Sequence, residues 1–160
     1  MKAALVFSLL FMLVSGCSHD RGVRGLVQPA NTTVVRAYLY NLEGVQGAPI
    51  LKDGKLHPTV WNPKGTVLTE AQIAKVRRAV FEYDPTAIQI PARCYQPRHA
   101  FVYYNSEQEV VAFIEICFSC DNYRTSTDRL GPIDFDALKN VFVELEIPVF
   151  EEDDAYEKLK

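Results

Sequence analysis

The chain has 160 residues, 48% of them hydrophobic, and 17 Lys and Arg stand against 20 Asp and Glu for a formal net charge of -3. A mildly acidic chain with no basic run argues against nucleic acid and anionic lipid headgroups as electrostatic partners. The length suits one domain with a single core rather than two.

Chain order begins with a leader. Lys2 gives a positive start, Ala3 to Val14 are apolar apart from Ser8, and Leu13-Val14-Ser15-Gly16-Cys17 closes the run with small residues before a cysteine. A run of this length suits a secretory signal core of about 7 to 15 residues and falls short of the about 20 needed to cross a bilayer. The motif at 13–17 resembles the lipobox of bacterial lipoproteins. That resemblance implies a signal peptide at 1–16, cleavage before Cys17 and acylation of the Cys17 thiol, with palmitate-type chains as the link to the lipid bilayer. Ser18 in place of an aspartate implies sorting to the outer membrane of a diderm host, on its periplasmic face. At about 0.8 kcal/mol per buried methylene, several acyl chains would hold the protein firmly. Loss of Lys2 with the leader makes the exported chain one charge more negative.

Residues 17–32 then read as the lipidated cysteine and a polar tether, 33–150 as a single domain of roughly 120 residues, and 151–160 as a solvated acidic tail. Thr33 to Tyr40 is rich in β-branched and aromatic residues and is expected to be a strand. Asp53-Gly54, between Ile50-Leu51 and Leu56, marks a hairpin turn. Thr69 with Gln72 forms a capping box, and Ile73, Val76, Val80 and Tyr83 follow at helical spacing until Asp84-Pro85. Lys75, Arg77 and Arg78 fall on the solvated side of that helix. A second helix is expected after Asp134, with Phe135, Leu138, Phe142 and Leu145 on one stripe, ending before Pro148. The fold class expected is therefore α+β: a small antiparallel sheet with a central hairpin packed against two amphipathic helices.

The central hairpin carries the distinctive residues. Ala100 to Tyr104 and Val110 to Phe118 are β-rich runs around a polar break at 105–109. A turn centred on Glu107 sets His99 opposite Glu115 and Cys94 opposite Cys120. It also puts Cys117 on the face of His99 and Glu115. Cys94, His99, Cys117 and Cys120 are thus expected at the open end of one hairpin.

Three readings of that group stay open. The plainest is a structural disulfide, Cys94 to Cys120 or to Cys117, closing a loop of about 25 residues worth roughly 3 kcal/mol. With Cys17 acylated, three thiols remain and one is left over. The second is a metal site in which Cys94, His99, Cys117 and Cys120 hold zinc or copper(I), a set that suits tetrahedral coordination. The third is thiol redox chemistry at the Cys117-Phe118-Ser119-Cys120 motif, although the polar residues after it do not read as the helix that would depress a thiol's pKa.

Arg93, Arg98, Arg124 and Arg129, with Tyr95, Tyr103 and Tyr123, could line a pocket for an anion or a partner's acidic loop, or could serve as local ion pairs and half-buried aromatics. His99 is expected to bond Glu115. Asn31-Thr32-Thr33 is a glycosylation sequon only in a eukaryote, and no serine-hydrolase, phosphate-loop or zinc-protease motif is present. Cys94, Pro97-Arg98-His99 and Ile116-Cys117-Phe118-Ser119-Cys120 resemble a pattern in uncharacterised secreted bacterial proteins, and that resemblance implies no activity. The reading is a non-enzymatic accessory or binding lipoprotein with no resident cofactor and a periplasmic protein partner. Its alternatives are a metal-binding or thiol-redox protein, and an inhibitor or immunity-type protein against a secreted toxin or hydrolase.

Overall fold

A computed structural model describes residues 31–84, 86–90, 92–126, 131–151 and 154–159. The expected leader, Cys17, the expected tether through residue 30, and Arg129 lie outside the described residues. Among the described residues, no helix is long and apolar enough to cross a membrane.

The fold is α+β, as the patterning expects. In chain order the elements are β1 (Val34–Leu39), β2 (Leu51–Lys52), β3 (Lys55–Leu56), β4 (Thr66–Val67), α1 (Glu70–Phe81), β5 (His99–Tyr104), β6 (Val110–Cys117), β7 (Asn122–Thr125), α2 (Phe135–Glu144) and α3 (Asp154–Glu157). A short 3-10 turn, Phe118–Cys120, joins β6 to β7. Five strands form an antiparallel sheet in the order β4-β1-β5-β6-β7, and β2 and β3 form a separate hairpin.

The sheet separates two apolar layers. Val35, Ala37 and Leu39 of β1, with Phe101 and Ile114, face α1 and α2, which contribute Val76, Val80, Leu138 and Phe142. On the other side Tyr38, Tyr40, Ala100, Val102 and Tyr104 pack with Ile50 from the segment that carries β2 and β3. Alternation along each strand explains the division. Both helices start as their caps dictate: Thr69 and Gln72 form the capping box of α1, and the Asp134 carboxylate accepts from the Ala137 amide at 2.9 Å. The two helices are tied by the Asp134 amide donating to the Ala79 carbonyl at 2.8 Å and by Lys75 to Glu144 at 2.5 Å.

The central hairpin forms, but its register departs from the expected one. Tyr104 faces Val110, as a turn centred on Glu107 requires. A bulge then intervenes, so that Tyr103 faces Ala112, Ala100 faces Glu115 and His99 faces Ile116. An extra residue on one strand moves every later side chain to the opposite face relative to its partner strand. The expected pairing of His99 with Glu115 is thereby corrected: His99 joins the helix side, whereas Glu115 and Cys117 lie on the other.

A second correction concerns residues 151–160. Instead of a wholly solvated tail, this segment includes α3, whose Tyr156 is buried. The Tyr156 hydroxyl accepts from the Phe150 amide at 2.9 Å, and its ring meets Phe150 and His99 edge-on. One aromatic residue anchors a stretch whose acidic composition reads as solvated.

Candidate functional site

The open end of the β5–β6 hairpin gathers the buried ionisable residues, and the sheet sorts them onto two sides. On the side of β2 and β3, Glu115 is completely buried. One carboxylate oxygen accepts from the Ile50 amide at 2.6 Å. The other accepts from Arg124 Nε at 2.7 Å, from a second Arg124 nitrogen at 2.6 Å, and from the Tyr95 hydroxyl at 3.3 Å. Glu115 and Arg124 are direct cross-strand partners on β6 and β7, which brings the guanidinium onto the carboxylate. Burial pushes the Glu115 carboxyl above its ordinary value, and the Ile50 amide, Arg124 and Tyr95 pull against that rise. Burial likewise raises the Tyr95 and Tyr40 hydroxyls, helped by the neighbouring Glu115 charge.

On the helix side, His99 is buried among Phe118, Phe142 and Tyr156, with ring centroids 5.0, 4.7 and 5.9 Å away. Burial first, and then the Arg98 charge, depress its pKa to about 4 against the Pro148 carbonyl, so the ring is neutral at pH 7. A neutral ring 2.8 Å from that carbonyl carries its proton on Nε2, which donates. The expected His99–Glu115 bond is absent because each residue has another partner on its own side of the sheet.

Arg98 is 5% exposed; it donates to the Asn41 carbonyl at 2.9 Å and lies 4.5 Å over the Tyr156 ring. Asn41 takes a left-handed φ of 52° and donates to the carbonyls of Pro97 and Val45, both at 3.0 Å. Gly44 completes this clamp: its φ is +69°, and a Cβ there would sit 2.6 Å from an Arg98 nitrogen. Arg98 thus fastens the 41–48 loop and α3 to the hairpin end.

Of the two expected pairings, the structure has the disulfide Cys94–Cys120, with the Cα atoms 6.1 Å apart. Cys117 is a free, buried thiol 3.6 Å from the Ser119 hydroxyl, which is 3.9 Å from Cys120 Sγ. The four candidate metal ligands Cys94, His99, Cys117 and Cys120 are not brought together, because the disulfide engages two of them and the bulge turns His99 away from Cys117. Among the described residues, no three His, Cys, Asp or Glu side chains lie close enough to share an ion.

The arginines and tyrosines do not form one anion pocket either. Arg124 serves Glu115, Arg98 serves Asn41, and Arg93 is exposed. Tyr103 faces the helices, and the Tyr123 hydroxyl donates to the Gly131 carbonyl at 2.8 Å. Sequence reasoning missed Asn41, the Ile50 amide and the stretch Ile88-Gln89-Ile90. The last was signalled only by an alternation of apolar and polar residues between Pro85 and Pro91, which does not say which side faces solvent.

No protein-family model, no curated protein and no solved structure matches the chain.

Proposed function

We propose that the protein is a non-enzymatic accessory or binding protein, held through an acylated Cys17 on the periplasmic face of the outer membrane. The observation that carries the non-enzymatic part is the use the fold makes of its reactive groups. Glu115 is saturated by Arg124, Tyr95 and the Ile50 amide, and His99 is a neutral donor to Pro148. Cys94 and Cys120 are consumed in a disulfide. Groups so engaged serve the architecture, whereas a nucleophile and its base need access to a substrate. The anchor rests on the leader at 1–17 and its resemblance to the lipobox. A disulfide agrees with an exported protein.

Membrane fractionation with mass spectrometry of the amino-terminal peptide tests the anchor. The expected result is a diacylated Cys17 in the outer-membrane fraction and release of Cys17→Ser from it; an unmodified Cys17 in a soluble protein overturns the anchor. Cross-linking of the whole protein to periplasmic proteins tests the binding role: a stoichiometric adduct is expected, and its absence counts against the role.

One observation favours a second reading, thiol exchange. The free Cys117 thiol reaches the Cys94–Cys120 disulfide through Ser119, with contacts of 3.6 and 3.9 Å. Exchange under a glutathione gradient, read by which cysteines are paired, separates it from the structural reading.

A further inference from the structure

The 3-10 turn Phe118–Cys120 sets a free thiol and a disulfide against one hydroxyl. Cys117 caps the start of the turn and Cys120 ends it. Three residues make one turn of a 3-10 helix, so side chains three apart come to the same side. Ser119 Oγ lies 3.6 Å from Cys117 Sγ and 3.9 Å from Cys120 Sγ. Cys117 and Cys120 are buried, whereas Ser119 and Cys94, the other half of the disulfide, are exposed. The free thiol thus neighbours the buried sulfur of the pair, and the sulfur beyond it belongs to a surface residue.

Thiol–disulfide exchange asks for that arrangement, an attacking thiol beside one sulfur and a leaving sulfur that water can solvate. The same disulfide fastens the stretch before β5 to the turn. There the Ala92 amide donates to the Cys120 carbonyl at 3.1 Å, and the Tyr95 hydroxyl donates to Glu115 at 3.3 Å. Moving the bond off Cys94 leaves the join to hydrogen bonds alone.

We propose that the Cys94–Cys120 disulfide is transferable: Cys117 displaces Cys94 from Cys120, and Cys94 becomes the surface thiol that meets an external disulfide. In the transfer Cys117 Sγ attacks Cys120 Sγ, the Cys117–Cys120 bond forms and the Cys94–Cys120 bond breaks. The Cys117 proton leaves to water through the Ser119 hydroxyl, and the Cys94 thiolate takes one up, so the step consumes no oxidant. Reaction with an external disulfide then forms a mixed disulfide at Cys94 and expels one thiol. Resting on the thiol-exchange reading above, the transfer names Cys94 rather than Cys117 as the cysteine exposed to a partner. Until an external disulfide traps Cys94, the resting pairing is the one in the structure, and all three sulfurs serve the fold.

The test incubates the whole exported protein, folded by circular dichroism, with oxidised glutathione, quenches it in acid and maps the cysteines by non-reducing peptide mass spectrometry. One glutathione on Cys94, with Cys117 and Cys120 paired, is expected. Cys117→Ser, which lacks the attacking thiol, is expected to gain none. Cys94→Ser exported in the same way is expected to carry a Cys117–Cys120 disulfide. Glutathione on Cys117 with Cys94–Cys120 intact overturns the transfer and leaves thiol exchange standing at Cys117. No adduct on the folded parent overturns both. An equal adduct in Cys117→Ser overturns the transfer, as do two reduced thiols in a Cys94→Ser protein whose circular dichroism matches the parent. Where Cys94→Ser does not fold, the adduct on the parent decides.

Discussion

The two sides of the β5–β6 hairpin each bury one ionisable residue, and they accommodate it in opposite ways. On the helix side His99 gives up its charge and becomes a neutral donor within an aromatic cluster. On the other side Glu115 is surrounded by a guanidinium, a hydroxyl and a backbone amide. The difference comes from a single bulge. In an unbulged register the imidazole and the carboxylate would face each other as an ion pair; with it, each finds a separate solution. A buried charge needs a partner or must be lost, and strand register decides which option is open.

Substitutions can break this comparison at either side. The largest effect is expected from Phe142→Ala, which removes the ring stacked 4.6 Å from Phe101 and 4.7 Å from His99. Loss of a fully buried phenylalanine costs about 4 kcal/mol, read by chemical denaturation at pH 7. Next comes acid. The folded pKa of His99, about 4, lies below its ordinary 6.5, so its contribution is intact above pH 6.5 and is lost as pH falls toward 4. The loss amounts to about 3 kcal/mol. His99→Phe is expected to be less stable than the parent at pH 7, since Pro148 loses its donor, and to close that gap as pH falls toward 4.

Arg124→Ala tests the opposite side, by exaggerating a raised carboxyl rather than by removing a depressed imidazole. The Glu115 carboxyl, already raised by burial, rises further without the guanidinium. The folded protein then holds a proton that the unfolded chain releases. Stability of the variant therefore falls as pH rises from Glu115's ordinary value of 4.5 toward neutrality. Because Arg124 is half-exposed, the cost at pH 7 is about 2 kcal/mol, shrinking in acid. If either variant's deficit relative to the parent grows rather than shrinks as pH falls toward 4, the account of that side is wrong. The smallest effect is expected for Tyr104→Phe, which removes the 2.8 Å hydroxyl contact with Tyr38 in the same layer as Glu115. It costs about 1 kcal/mol, with no change in pH dependence between pH 4 and 7.

Much of this architecture is legible locally. The capping box at Thr69 and Gln72, the stripe through Leu138 and Phe142, and the two β-rich runs at 100–104 and 110–118 each report their own backbone state within a few residues. The bulge is not legible. Val110 and Val111 are chemically alike, and no glycine marks the extra residue. Because the site depends on register, one unreadable residue moved His99 away from Glu115 and Cys117. The inward turn of Gln89 and the docking of Tyr156 are likewise tertiary facts: each depends on a partner, Ile133 or Arg98, distant in sequence.

The central claim is that the hairpin-end cysteines and ionisable groups serve the fold. Native mass spectrometry with thiol alkylation, on protein exported from the cell, tests it most directly. The account predicts a Cys94–Cys120 disulfide, a Cys117 thiol alkylated only after unfolding, and no stoichiometric metal. Three reduced thiols with one bound zinc or copper ion would contradict it and move the function to the hairpin end.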